Sequence, residues 1–425
     1  MSPVHRLTVV IQVARLRWAP GPLTDQRSDC EIDMSHTYPV DSQAMEAFLL
    51  RLIAAQSYST EEQDAAAILR DELSRLDFET TVDDWGNVVG TLRLGDGPTV
   101  LLDTHLDTVP VVDRTEWKHK PEGEVVGGRV FGRGSVDMKG PIAACVHGAA
   151  ALRGLGAGTI VVNGGVAEEL VEGPAAVHVA RRVRPDFAII CEPSRRRIAR
   201  GQRGRAEVVV EVAGKSCHSA YPAAGINAVE VMADVITELR RLAPPTDPVL
   251  GEGILVLTDI LSAPHPGLSI VPERCTATFD RRTLAGESED DIVDPIRAVV
   301  DSVTARWATQ GWVRIADDDY TTYTGVRVTA PNFAPAWLFE EGEPIVETAA
   351  AGLASVGLDA RIDHYRFCTN GSGTAGALGI PTIGFGPGDE DQAHTVDESI
   401  ALDDLHLGAQ GYAAIVESLL KGDHR

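Results

Sequence analysis

Three segments that read as strands run directly into side chains able to hold a cation. Val100 to Thr104 leads into His105-Leu106-Asp107, and because side chains alternate along an extended chain, His105 and Asp107 can face the same side. One imidazole to bind a metal and one carboxylate to orient it is the usual pairing of a ligand with its support. Ile160 to Asn163 leads to Glu168-Glu169, and Ala188 to Cys191 leads to Glu192. Adjacent carboxylates in an irregular segment diverge, so one can ligate while the other faces the water to be activated, which needs a base within hydrogen-bond reach. The run Gly132-Arg133-Gly134-Ser135-Val136-Asp137-Met138-Lys139-Gly140 can turn without strain and carry Asp137 inward. Its spacing matches neither the Walker loop nor the dinucleotide fingerprint. A further strand, Ile383 to Phe385, precedes a glycine-rich, acidic loop that reaches His394.

Singly, each feature has an ordinary reading: a surface histidine and a turn aspartate at 105–107, a solvated helix start at Glu168-Glu169, a loop histidine at 394. Together, His105, Asp137, Glu169, Glu192 and His394 supply two imidazoles and three carboxylates, a nitrogen and oxygen set suited to Zn²⁺, Mn²⁺ or Co²⁺. With Asp137 bridging, each of two ions would also receive one His and one Glu.

The elements that must position these residues follow from periodicity. Apolar residues recur at helical spacing from Ser42 to Leu76 and predict two helices. Val88 to Leu92, Thr99 to Asp103, Thr159 to Asn163 and Phe187 to Cys191 are short, apolar and β-branched, with helical stretches Ile142 to Leu155 and Pro174 to Val183 between them. That alternation predicts a mostly parallel, buried sheet, with ligands at the carboxyl ends of its strands. After Gly204 the texture changes: strands at Ala206 to Val212, Gly253 to Ile260 and Arg274 to Asp280 are interleaved with helices at Asn227 to Leu242 and Asp290 to Trp307. This predicts a small α+β domain inserted into a larger α/β domain. Tyr320 to Trp337 shows no clear periodicity, after which helix Pro344 to Gly352 and strands Arg361 to Tyr365 and Thr382 to Phe385 resume the first texture.

Composition narrows the function classes. The 425 residues carry 62 acidic against 38 basic side chains, a net charge of −24, which repels phosphate backbones and anionic lipid. No nucleic-acid or membrane partner is expected, and no stretch approaches the roughly 18 apolar residues of a membrane span. The six cysteines are far apart and form no CxxC pair, which fits reduced thiols in a cytoplasm. The apolar run from His5 to Trp18 is interrupted by Gln12, Arg15 and Arg17 and lacks the small-residue cleavage site of a signal peptide, so it reads as an unstructured extension.

The ordered set His105-Leu106-Asp107-Thr108-Val109-Pro110, Gly132 to Gly140, Glu168-Glu169, Glu192-Pro193 and Ala393-His394-Thr395 resembles the co-catalytic zinc aminoacylase and carboxypeptidase family, which includes acetylornithine deacetylase, succinyl-diaminopimelate desuccinylase and glutamate carboxypeptidase. The resemblance runs from about residue 45 to 420. Within the family it is nearest to the selenium-metabolism-linked hydrolases, through Arg200-Gly201-Gln202-Arg203-Gly204-Arg205, Gly214-Lys215-Ser216-Cys217-His218, Asp280-Arg281-Arg282 and Thr369-Asn370-Gly371. It implies an α/β catalytic domain at 45–203 and 317–425, an α+β lid and dimerisation domain at 204–316, and a disordered extension at 1–44.

It also implies roles. His105 and Glu192 would bind one metal, Glu169 and His394 the other, with Asp137 bridging, Asp107 orienting His105 and Glu168 serving as general base. The peptide after Asp137 would be cis. His218 would cross a dimer interface to stabilise the oxyanion in the partner's site, and Arg282 would hold a substrate carboxylate, with Asn370 and Gly371 also at the substrate. Arg281 reads as a structural ion pair, and the arginines at 195, 196, 197, 200, 203 and 205 as a hinge and solvated surface. Two departures stand out: Ser269 where relatives carry Asn before Val-Pro, and Gln56 where they carry Pro. The expected protein is a cytoplasmic homodimer with two divalent ions, Zn²⁺ first and Co²⁺ or Mn²⁺ next, that hydrolyses an N-acyl amino acid or small peptide-like amide. A dipeptidase or carboxypeptidase, a hydrolytic deaminase and a non-catalytic metal- or ligand-binding dimer are the alternatives.

Overall fold

The computed structural model describes residues 37–422. Its larger sheet runs in the order Glu79–Val82, Val88–Arg93, Thr159–Gly165, Thr99–His105, Phe187–Ile190, Thr382–Gly384, Ile198–Gln202, Trp337–Leu338, with Ile362–Tyr365 added beside Ile198–Gln202. The four strands from Thr159–Gly165 to Thr382–Gly384 are mutually parallel. Both flanks turn antiparallel, so the sheet is mixed around a parallel centre. The reason is connection length: Glu79–Val82 and Val88–Arg93 are joined by a short turn that only an antiparallel pair accepts. The central strands are buried on both faces, as in Thr99–His105, where every residue after Thr99 is buried, and this explains their continuous apolar runs.

Helix Lys139–Ala150 is buried along its whole length and packs between Ser42–Ala54 and Leu402–Lys421. The close approach requires Gly148, where a Cβ would fall 2.5 Å from the Ala409 carbonyl oxygen. The final helix, Leu402–Lys421, also reaches back to the start of the described chain. The Tyr38 amide donates to Gln410 Oε1 at 2.7 Å and the Tyr38 hydroxyl to Glu417, while Asp41 caps Ser42–Ala54 by accepting from the Gln43 and Ala44 amides. Residues 37–44, expected to be disordered, are therefore tied down; residues 1–36, where the rest of that expectation falls, lie outside the described residues.

A second sheet runs Ile254–Ala263, Arg274–Thr283, Gly204–Ala213, Gly311–Ile315, with Phe333–Ala334 also beside Gly204–Ala213. Gly204–Ala213 buries alternate residues, the pattern of a sheet covered on one face. Helices Ala228–Leu239 and Glu289–Arg306 cover it, closing a core of its own around Val208, Val210, Phe279, Ile296 and Val300. Helix Glu289–Arg306 begins on a capping box between Ser288 and Asp291. The segment without clear periodicity contains a hairpin, Asp317–Thr321 against Arg327–Pro331, whose two strands bury Tyr320, Val328 and Ala330 alone.

Candidate metal centre

His105 ends the strand Thr99–His105 and is 1% exposed. Its Nδ1 meets the Asp107 main-chain oxygen at 2.9 Å, closer than the Asp107 carboxylate at 3.4 Å. The Asp107 carboxylate has other work: it accepts from the Glu168 and Glu169 amides at 3.2 and 3.0 Å and from Ser59 Oγ at 2.8 Å. Asp107 thus ties the histidine's strand end to the two glutamates that follow the neighbouring strand.

Asp137 divides its oxygens between the two imidazoles, with Oδ1 3.1 Å from His105 Nε2 and Oδ2 3.2 Å from His394 Nε2. Glu192 Oε1 lies 3.3 Å from His105 Nε2, and Glu169 Oε2 lies 3.1 Å from His394 Nε2. Glu168 stands further back, its Oε2 3.9 Å from His105 Nε2. His394 adopts a φ of 61°, a left-handed conformation that side chains ordinarily avoid. The Asp137-Met138 peptide is cis, as the resemblance implies. The five expected ligands and Glu168 therefore meet.

Behind them sit supports with no local signature in the sequence. Buried Glu398 accepts from Arg133 Nη1 at 2.6 Å and from the amides of Gly134, Val136 and Asp137 at 3.1, 2.7 and 3.0 Å. Gly134 at φ 83° makes the turn that aims these amides. Tyr365 and Tyr412 donate to the main-chain oxygens of Glu192 and Cys191.

The electrostatics show a site short of positive charge. Burial, with the carboxylates of Glu192, Glu172 and Glu169, pushes Glu168 well above the ordinary range against the pull of His105. Burial and Asp137 push Glu192 up to about 7. Burial opposes a charged His105, yet Glu168, Glu192, Asp107 and Asp137 outweigh it and raise its pKa well above normal. Among these buried groups, Glu192 Oε2 has no hydrogen-bond partner. An orphaned carboxylate oxygen beside two imidazoles and further carboxylates fits a divalent cation, which takes the place of protons on such ligands. Donor atoms of His105, Asp137 and Glu169, and of His105, Glu168 and Glu192, each lie within 4.8 Å of one another.

His394 gives a test of this charge balance. Hydrogen bonds to Asp137 and Glu169 raise its pKa to about 10, against about 6.5 for a free imidazole. A raised folded pKa means that the stabilisation is complete below about 6.5 and is lost as pH rises through about 10. With metal chelated, the Tm gap between the unaltered protein and His394→Gln should therefore narrow across that window. A gap constant from pH 6 to 10 in scanning calorimetry would contradict the pairing.

Beside the ligands opens a cleft of about 370 Å³ whose far wall includes Glu172, Arg205, Arg282, Phe367 and Cys368. Asp280 accepts from Arg205 Nε at 3.0 Å and forms an ion pair with Arg282, whose Nε lies 2.9 Å away. Arg205, read from sequence as hinge surface, thus faces the cleft; its neighbours Arg195 and Arg197 do pair outward, with Asp389 and Asp363. Arg281 pairs with Glu287 at 2.6 Å. Asn370 and Gly371 are buried away from the cleft lining: Asn370 Oδ1 accepts from the Gly173 amide at 2.8 Å, and Gly371 packs so tightly on the Trp337 indole that a Cβ would lie 2.5 Å from Nε1. His218 is exposed, its Nδ1 accepting from the Ala220 amide at 3.0 Å, and within one chain it does not line the cleft.

Comparison with known proteins gives the chain's relatives. A family model described as peptidase family M20/M25/M40 matches residues 101–418. The chain is 32% identical over 387 residues to YgeY of Escherichia coli (strain K12), covering 88% of this chain and 94% of that protein. It is 28% identical over 323 residues to acetylornithine deacetylase of Aliivibrio fischeri (strain MJ11), covering 74% and 79%. The fold matches Bacillus subtilis YxeP, described as a dinuclear metal binding peptidase, with a TM-score of 0.67 at 15% identity over 89% of this chain and 98% of that one. No helix among the described residues is long and apolar enough to cross a membrane.

Proposed function

This chain belongs to peptidase family M20/M25/M40, a metal-dependent hydrolase of amide bonds, and from that premise we propose which residues do the work and on what. The substrate is an N-acyl amino acid or a small peptide-like amide. The observation that carries the two-ion reading is Asp137, one oxygen toward His105 and the other toward His394. His105 and Glu192 would hold one ion, Glu169 and His394 the second, with Asp137 between them. Two imidazoles with carboxylate oxygens suit Zn²⁺, with Co²⁺ or Mn²⁺ as substitutes. When bound, the ions polarise the scissile carbonyl and make an attacking water acidic.

Glu168 takes the proton from that water and returns it to the leaving amine. Its position supports the role: 6% exposed, behind the His105 contacts and held by the Asp107 bond to its amide. Burial and neighbouring acids favour the protonated carboxyl, the direction expected of a group that takes up a proton and passes it on. Arg282 holds a substrate carboxylate, its Nε secured on Asp280 so that the rest of the guanidinium serves as a fork. Asn370 acts on substrate through the wall, by fixing Gly173, with Gly371 packed behind it.

His218 completes the site from the partner of a homodimer, where it stabilises the oxyanion. Support comes from Ile254–Ala263, an edge strand of the second sheet that exposes Val256, Ile260 and Leu261, a surface suited to a second copy. On this reading the second sheet and its helices form the lid and dimerisation unit of residues 204–316. The widely spaced cysteines support a reducing cytoplasm as its compartment.

The deciding experiment measures free-amine release from N-acetyl, N-succinyl and N-carbamoyl amino acids and from dipeptides, with protein loaded separately with Zn²⁺, Co²⁺ and Mn²⁺. Metal-dependent release is expected, and the responding compounds separate deacylase from peptidase. Silence across the panel with metal bound and the dimer intact would overturn the reading, and a monomer by light scattering would remove His218 from it.

A further inference from the structure

A second cavity, of about 220 Å³, lies between the end of helix Ser42–Ala54, the connection that carries Val111 and Pro121, and the side chains of Arg133 and Lys139. It shares no lining residue with the cleft beside the metal ligands, and it far exceeds the roughly 10–15 Å³ that one water needs. Three cations line it. Arg114 is held by Glu122, which accepts from both of its terminal nitrogens. Arg133 gives Nη1 to Glu398 at 2.6 Å, while its buried Nε has no hydrogen-bond partner. Lys139 is 2% exposed, and its Nζ donates to the neutral Ala55 carbonyl at 2.8 Å with no carboxylate in ion-pair contact among the described residues.

An ammonium withdrawn from water is ordinarily paired with an anion. The carboxylates whose field reaches Lys139 are those of Glu398 and Asp107, and both are engaged elsewhere. Glu398 serves Arg133 and the amides of Gly134, Val136 and Asp137; Asp107 serves Ser59 and the amides of Glu168 and Glu169. An ammonium has three donors, so two remain for the cavity. The Tyr58 hydroxyl lines the same space and accepts from the Val111 amide at 3.4 Å, which leaves its own proton to donate. Ile53, Ala54, Val111 and Pro121 give the cavity an apolar side.

We propose that this cavity binds a small organic monocarboxylate, with its oxygens on Lys139, Arg133 Nε and Tyr58 and its hydrocarbon chain against the apolar side. One unpaired ammonium calls for one negative charge, and the apolar side favours a short carbon chain over a bare inorganic ion. Arg133 and Lys139 bracket Asp137 in the chain. Because Arg133 keeps Nη1 on Glu398 while Nε meets the ligand, a bound carboxylate fastens the segment that carries Asp137 without breaking its existing tie. The site stands whether or not the cleft hydrolyses amides.

The test titrates the full-length protein by calorimetry at constant ionic strength with butyrate and with butyramide, its neutral counterpart of similar shape, in both the metal-loaded and the chelated form. Butyrate should bind about ten-fold or more tightly than butyramide in both forms, as expected for hydrogen bonds to charged groups. Lys139→Met, which keeps the stem and removes the ammonium, should bring that ratio toward one. Tyr58→Phe should weaken butyrate a few-fold, and it locates the ligand even where Lys139→Met does not fold. Equal affinities for the two compounds, butyrate binding that disappears on chelation, an affinity that Tyr58→Phe leaves unmoved, or inorganic phosphate binding more tightly than butyrate would each overturn the proposal.

Discussion

Glu168→Gln is expected to lower kcat by about 10²- to 10⁴-fold, the range for removing a positioned general base, with two equivalents of metal still bound. The substitution keeps the shape of the side chain and the amide contact to Asp107, so what it removes is the ability to take a proton. The metal content matters as much as the rate. A carboxylate oxygen of Glu168 lies within 4.8 Å of donor atoms of His105 and Glu192, so the same side chain is placed closely enough to be a ligand. A base leaves the metal stoichiometry near that of the unaltered protein; a ligand takes an ion with it when removed. Elemental analysis beside the kinetic assay separates the two roles, and undiminished turnover would sink both.

Glu398→Ala is expected to destabilise the fold by about 3–5 kcal/mol, the cost of stripping one partner from a buried ion pair. Arg133 is 8% exposed, and without Glu398 its charge is met only by the face of the Trp117 ring, 5.4 Å from the guanidinium carbon. The amides of Gly134, Val136 and Asp137 lose their acceptor in the same step. Because these amides set the backbone at Asp137, metal affinity should fall together with stability. Glu398→Gln, which keeps one oxygen acceptor, should lie between. Denaturant melts with metal titration read both effects, and a Glu398→Ala protein within about 1 kcal/mol of the unaltered one would show that the loop holds its shape without this residue.

Much of the fold is legible in local pattern. The paired helices between Ser42 and Leu76 and the apolar strands that end at His105 and Glu192 follow from periodicity, because burial on one or both faces leaves that mark on the chain. The hairpin Asp317–Thr321 with Arg327–Pro331 does not, since its first strand opens on three consecutive aspartates and buries a single tyrosine. The antiparallel flanks of the large sheet escape the same reasoning, for strand direction depends on connections and partners rather than on residue pattern. Within the site, the meeting of His105, Asp137, Glu169, Glu192 and His394 is legible because strand ends converge on one edge. What their neighbours do is not. Glu398 serves amides more than 250 positions earlier in the chain, Asp280 fixes two guanidiniums from adjacent strands, and Asp107 supports His105 through its carbonyl at closer range than through the carboxylate that suggested it. Such pairings depend on distance in space and leave no spacing to read.

The reach of Glu398 back to the glycine loop also sets an order of events during synthesis. His105, Asp137, Glu169 and Glu192 emerge from the ribosome before the second sheet, whereas His394 and Glu398 follow it. Until those last residues arrive, Asp137 lacks both its second imidazole and the acceptor that fixes its backbone. A nascent chain can therefore complete the early strands and close the core of the second sheet by itself while the cluster of imidazoles and carboxylates is still unfinished. The residues that complete the cluster are thus among the last made, and the last helix, which clasps Tyr38 at the other end of the described chain, follows immediately.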